Sequence, residues 1–378
     1  MSHKINVSNS SKRAVKKRSD TPTVRGIFEG LVNELLPKRP IFRRLVIILV
    51  TALFLWVGSM YGIAQWYFWS NRNQPTVMGA TFIADYADHL GVDPKDTLHA
   101  VIYDLGVKHL RLVSYWSDIE QTKGKYDFSN LDWQFDMAQQ AKIPVSLSIG
   151  LRQPRWPECH MPTWALGLEK DTWYPELKNF IQAVMERYKD RPNLESYQLE
   201  NEFFLSVFGE CPDFSRDRLI EEAELVKSVD PTHPLIITRS NNAVGLPIGS
   251  PRPDKFGISV YKRVWDKSIT KRYYEYPFPA WFYGFLAGAG KIVTGKDMIV
   301  HELQTEAWLA DGYDIKDAPV DELYKTVNPE RLKDRIEYGK ATGMKTIDLW
   351  GVEWWYQMKT KRAQPDLWNT AKNEIHKY

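Results

Sequence analysis

Cysteine is scarce in this chain: Cys159 and Cys211 are the only two in 378 residues. That excludes a disulfide framework of the kind that holds small secreted scaffolds together, and the length makes one unnecessary. Histidine is sparse too. The eight are scattered, only His301 and His160 stand at candidate strand ends, and no spacing suits a metal site. Cys159 and His160 are adjacent, a placement that points side chains apart and speaks against a thiol nucleophile with its base. Low-complexity tracts are missing from the apolar-rich part, and 43 % hydrophobic against 26 % charged residues excludes bulk disorder.

Charge of one sign is also lacking overall, with 50 Lys and Arg against 47 Asp and Glu. Its distribution is uneven. Residues 1–44 carry eleven Lys or Arg and three acids, a net of +8, which leaves −5 for the rest of a chain whose total is +3. A nucleic-acid binder would carry its positive charge on a folded face, so no nucleic-acid partner is expected.

From Leu45 to Trp69 no residue is charged. Such a run is long enough to cross a bilayer as a helix. Arg43 and Arg44 precede it, and Trp66, Tyr67, Phe68 and Trp69 close it, as the positive-inside bias and an interfacial aromatic belt require. The reading is a basic cytoplasmic tail over 1–44, a signal-anchor span over 45–69, a linker over 70–76 and an extracytoplasmic domain over 77–378. It makes the chain a single-pass protein of the cell membrane. A cleaved signal peptide would need a shorter polar start and a small-residue cleavage site, and a buried core helix is the other alternative. A short amphipathic helix is expected around Phe28 to Leu36.

Beyond Val77 strand and helix patterns alternate. Eight strands are predicted, starting near Val77, Lys108, Ile143, Glu195, Pro234, Lys255, Asp297 and Lys345. Helical spacing lies between them, at Leu98, Ile102 and Leu105 before Gly106, at Leu131, Phe135 and Ala138 behind Ser129 as N-cap, and at Leu177, Ile181, Val184 and Tyr188. It recurs at Leu219, Ala223, Val226 and Val229, and at Leu332 and Ile336 before Gly343. The fold class is α/β, a (β/α)8 TIM barrel. A doubly wound sheet is the alternative, but its first turn would carry a glycine-rich fingerprint, and here it reads GATFIADYADHLG. About fifteen residues separate the fifth and sixth strands, so that crossover helix is short or missing. The apolar segment Tyr273 to Gly290 reads as a barrel helix or long loop in preference to a second membrane contact.

Reacting groups of such a barrel stand at the C-terminal strand ends. The fourth strand ends Leu199-Glu200-Asn201-Glu202 and the seventh Val300-His301-Glu302. Carboxyls facing each other across a mouth suit glycoside hydrolysis, in which one protonates the leaving oxygen and the other attacks the sugar or activates water. Glu200 alternates with Asn201 and reads as structural, and Glu353 in WGVEWW is open. Aromatic platforms for a sugar are sought in Trp116, Trp156, Trp164, Phe203, Trp265, Trp308 and Trp354, each with a core role as the alternative.

The stretch HLRLVSYWSDIEQTKGKYDFSNLDWQFDMAQQAKIPVSLSIG, from His109 to Gly150, together with these strand ends, resembles the large clan of retaining glycosidases with acid/base on strand four and nucleophile on strand seven, in its cellulase and β-galactosidase branches. The resemblance runs over 77–378. It implies Glu202 as acid/base, Glu302 as nucleophile, Asn201 on the sugar 2-hydroxyl, Arg111 and Tyr261 on the nucleophile, and Trp350 as the floor of the reacting subsite. Two departures stand out: NEFF lacks the frequent proline after Asn-Glu, and HELQTEAW offers Glu306 as an alternative nucleophile. The implied function is a membrane-anchored retaining glycoside hydrolase acting on a β-linked oligo- or polysaccharide, with no metal or organic cofactor. A carbohydrate-binding protein without activity and a transglycosylase are the alternatives. In such a barrel Cys159 and Cys211 lie in neighbouring loops of one face, which favours a disulfide over two separate thiols.

Overall fold

A computed structural model describes residues 40–240, 249–267 and 269–377. The chain divides after Ser59 into two compact units. The first contributes the start of helix Pro40–Asn71, 32 residues with an 18-residue window apolar enough to cross a membrane. The helix is longer than the predicted span and takes in Arg43 and Arg44. At its other end it replaces the start of the expected linker. Asn71 is its last residue, and it is buried. The expected helix at Phe28 to Leu36 lies outside the described residues.

The second unit, Met60–Tyr378, holds a closed barrel. Its strands are β1 (Val77–Thr81), β2 (Leu110–Val113), β3 (Val145–Ile149), β4 (Leu194–Leu199), β5 (Leu235–Ser240), β6 (Lys255–Val260), β9 (Met298–Gln304) and β10 (Thr346–Trp350). Every neighbouring pair is parallel, and β10 closes on β1 through Val77 opposite Thr346. The eight predicted strands are thus all present and in cyclic order. Between β6 and β9 the chain adds an antiparallel hairpin, β7 (Arg263–Asp266) with β8 (Arg272–Glu275), and then helix Ala280–Thr294. The Tyr273 to Gly290 segment is therefore partly hairpin and partly barrel helix. Between β5 and β6, residues 249–254 carry no helix, and 241–248 lie outside the described residues.

Local chemistry sets the helix limits. Gly106 and Gly295 end their helices in the left-handed conformation that a side chain would strain. The expected cap Ser129 is instead the first helical residue of Ser129–Gln140, because Asp127 two residues earlier accepts its backbone N–H at 2.9 Å.

The barrel interior is more polar than the branched apolar filling usual for such folds. Asp348 accepts hydrogen bonds from Nδ1 of His109 and of His301, both at 2.6 Å, and His301 approaches Ser146, which pairs with Ser196. Gly79 makes room for this group, since a Cβ there would lie 2.1 Å from Asp348 Oδ1. Burial alone would lower the His109 pKa, but Asp348 and Glu195 carry it up to about 10. Burial and the nearby Arg111 cation push His301 down to about 4, so one imidazole of the pair is charged and the other neutral.

Candidate active site

Arg111 organises the mouth. Its position in β2 points it into the barrel, where it is completely buried and every guanidinium nitrogen has a partner. Nε donates to Gln198 Oε1 at 2.6 Å, Nη1 to Glu302 Oε1 at 2.6 Å, and Nη2 to Asn201 Oδ1 at 2.8 Å. Tyr261, just past β6, donates its hydroxyl to the other oxygen of Glu302 at 2.9 Å. Both oxygens of Glu302 are thus acceptors, the pattern of an ionised carboxylate.

Glu202 has a different environment. The chain leaves β4 through two residues with positive φ, Glu200 at 55° and Glu202 at 42°, an uncommon backbone that sends successive carboxyls in different directions. Glu200 turns to Arg218 and to the backbone N–H groups of Leu151 and Arg152, so it is a structural anchor. Glu202 is fixed by its own N–H on Thr238 Oγ1 at 2.9 Å, while its Oε1 is buried with no hydrogen-bond partner among the described residues. Burial first, then the charges of Glu302 and Glu158, push its pKa up to about 8. A carboxyl so placed keeps its proton at neutral pH, the state a general acid needs.

Glu158 is a residue that strand-end reasoning did not find. It reaches the site from the loop after β3 with φ 72°, and its Oε2 accepts from Asn201 Nδ2 at 3.0 Å, with Arg152 Nη2 at 3.6 Å. Burial raises its pKa to about 7. Asn201 is consequently held at both ends of its amide. The same loop supplies Arg155, which lies 3.3 Å over the centre of the Tyr86 ring and 4.6 Å over that of Trp350. Arg155 donates to both oxygens of Glu306 at 3.2 Å. Glu306 is therefore tied to a cation beside Trp350, whereas Glu302 is tied to Arg111 and Tyr261. Glu353 accepts the N–H of Ile83 at 2.6 Å, and burial raises its pKa to about 7.

The aromatic candidates divide. Trp308 packs edge-on to Tyr261 at 5.5 Å, with Phe208 and the half-exposed Trp156 beyond it. Trp350 is nearly buried beneath Arg155. Trp116 does not join them. It opens a short helix after β2, packs between Trp164 and Phe180 with no exposed surface, and gives its Nε1–H to Glu120, so it has no face free for a sugar. Phe203 and Trp354 are likewise buried in packing. Cys159 and Cys211 are bonded, with Cα atoms 5.2 Å apart, and Arg152 bridges the same two loops through Phe208 O and Asn201 O.

No protein-family model matches the chain, and no curated protein matches it in sequence. Solved structures do match. A GH5_18 glycoside hydrolase of Bifidobacterium longum subsp. longum, in complex with Manβ1-4GlcNAc, aligns with TM-score 0.56 and 10 % identity over 80 % of this chain and 78 % of its own. GH5_18 from Streptomyces cattleya, with the same disaccharide, aligns with TM-score 0.50 and 14 % identity over 73 % and 70 %. The chain spans 52 % of a β-galactosidase from the Antarctic haloarchaeon Halorubrum lacusprofundi, which covers 72 % of it at 14 % identity and TM-score 0.48. The fold is that of the (β/α)8 glycoside hydrolases. At these identities the likeness is one of fold. Within this glycosidase fold, Glu202 and Glu302 stand just past β4 and within β9, the fourth and seventh barrel strands.

Proposed function

We propose that this chain is a retaining glycoside hydrolase of the cell membrane, anchored by residues 45–69 with its N-terminus cytoplasmic and its barrel outside, and that it cleaves a β-linked glycan. The observation that carries the reading is the contrast between two buried acids of one mouth. Glu302 has both oxygens accepting, from Arg111 and Tyr261, while Glu202 keeps an unpaired oxygen and a raised pKa. In the first step the Glu302 carboxylate attacks the anomeric carbon. The glycosidic C–O bond breaks and Glu202 gives its proton to the departing oxygen. In the second step Glu202, now ionised, takes a proton from water, the water oxygen bonds to the anomeric carbon and Glu302 is released. Trp308 beside Tyr261 offers the apolar surface that sugar C–H faces require. The β-linked Manβ1-4GlcNAc of the GH5_18 complexes supports the choice of a β-linkage.

The deciding experiment is intact mass of the full chain in detergent after incubation with 2-deoxy-2-fluoro glycosides of several sugars, followed by peptide mapping. One added sugar on Glu302 is expected. An adduct on Glu306 would reassign the nucleophile. Failure of every analogue, with retained binding on a glycan array, would favour a binding protein.

A further inference from the structure

The last three turns of the apolar helix belong to the barrel body. Met60, Ala64 and Tyr67 are buried there, and the helix packs on Ala280–Thr294 through small residues: a Cβ on Gly288 would meet Ile63, and one on Gly284 would meet Phe68. Gly343 is similarly closed by Phe68. Tyr61 stacks edge-on to Trp281 at 5.7 Å. This packing occurs at one end of the barrel. The helix reaches Asn71 just before β1 begins at Val77, and Ala280–Thr294 ends just before β9 begins at Met298. Both junctions are at strand N-termini, the face opposite the mouth. Ile292 and Val293 stand 59 % and 57 % exposed in the last turn of the barrel helix, and Tyr61, Trp66 and Trp69 are exposed on the apolar helix that packs against it. Lys291 and Lys296 flank the apolar pair, each in an ion pair, with Asp297 and Asp254 respectively. The two packed helices thus leave exposed apolar residues with ion-paired lysines beside them, and one of the two helices carries the candidate membrane span.

We propose that the bilayer itself covers this patch. The bottom of the barrel, at Ile292 and Val293, rests in the interfacial layer, and the mouth opens away from the lipid. The inference rests on the proposed anchoring, with the part of the apolar helix before Met60 crossing the membrane. It differs from a barrel on a free linker, because the last turns of helix Pro40–Asn71, from Met60 on, are packed on the barrel helix Ala280–Thr294. An aromatic belt and a short apolar helix end are the elements that settle at the headgroup boundary.

The test uses single nitroxide labels on the full chain in vesicles of neutral and anionic phospholipid, which is straightforward because the chain has no free cysteine among the described residues. Labels go on Leu53→Cys in the span, on Ile292→Cys and Val293→Cys, and on Val207→Cys, a 90 % exposed position in the loop after β4. The expected result is a severalfold loss of accessibility to a water-soluble nickel relaxant at 53, 292 and 293 relative to 207, with oxygen accessibility raised in step. A lipid-buried label at 53 with labels at 292 and 293 as accessible as 207 overturns the inference and leaves the span intact. An aqueous label at 53 overturns the span and the inference together. Spin–spin broadening at 292 that vanishes on dilution with unlabelled protein would assign the patch to a second copy of the chain and also overturn it. All four positions are exposed, so labelling them leaves the fold in place.

Discussion

Glu158, Glu202 and Glu302 share one buried mouth with the guanidiniums of Arg111 and Arg152, and Glu158 bears on how Glu202 holds its proton. With the acid form of Glu202 as the proposed donor and its pKa raised to about 8, kcat/KM should fall as pH rises through about 8. Glu158→Gln removes one of the negative charges that favour the protonated form, so the alkaline limb should move to lower pH. A limb unmoved in that variant would detach Glu158 from the acid. Glu302→Ala should abolish turnover, with partial rescue by azide as a substitute nucleophile, while Glu306→Ala retains turnover, checked with an activated aryl glycoside. Deeper in the barrel, His109 has a folded pKa of about 10 against an ordinary value of 6.5. The stability it contributes is full below 6.5 and lost as pH rises through 10, and thermal unfolding of wild type and His109→Gln between pH 6 and 10 should converge. Asp348→Ala, which strands that charge, should lower stability by about 3–5 kcal/mol in denaturant melts. The acids Glu202 and Glu302 could be sought because reacting groups of a barrel collect at strand ends, and Arg111, Asn201 and Tyr261 came only with the resemblance to the retaining glycosidases. Glu158 and Arg155 were not legible, because both reach the mouth from a loop on positive φ, where no periodicity marks direction.

Among the elements, the strands could be read because each is a short apolar run flanked by turn residues. The hairpin of Arg263–Asp266 with Arg272–Glu275 could not, since its residues are exposed or half-exposed and carry charges on both strands. Nor did the sequence reveal that the apolar helix would pack on the barrel. That contact depends on glycines at 284, 288 and 343, and a missing side chain leaves no hydrophobic signal. Its importance can be measured. Gly343 has φ +81°, and a Cβ there would lie 2.3 Å from Phe68 Cδ1, so Gly343→Ala should destabilise the barrel by about 1–3 kcal/mol, read from urea midpoints. Phe68→Ala in the same background should recover part of that loss by removing the clash, a coupling that a double-mutant cycle detects.

For the whole molecule, the orientation proposed from the basic start and the uncharged run can be checked by protease shaving of intact cells. External protease should remove barrel epitopes while an epitope placed before residue 44 stays protected; the reverse pattern would invert the topology. The bond between Cys159 and Cys211 adds a condition in time. It joins residues 52 apart, a closure that stabilises by about 4 kcal/mol on loop entropy alone, and its two ends lie next to Glu158 and in the loop that follows Glu202. Thiols stay reduced in the cytosol and pair outside it. A chain retained inside would have the barrel without the clasp across its mouth. Under the proposed topology, export is the step at which the two loops of the mouth become pinned together.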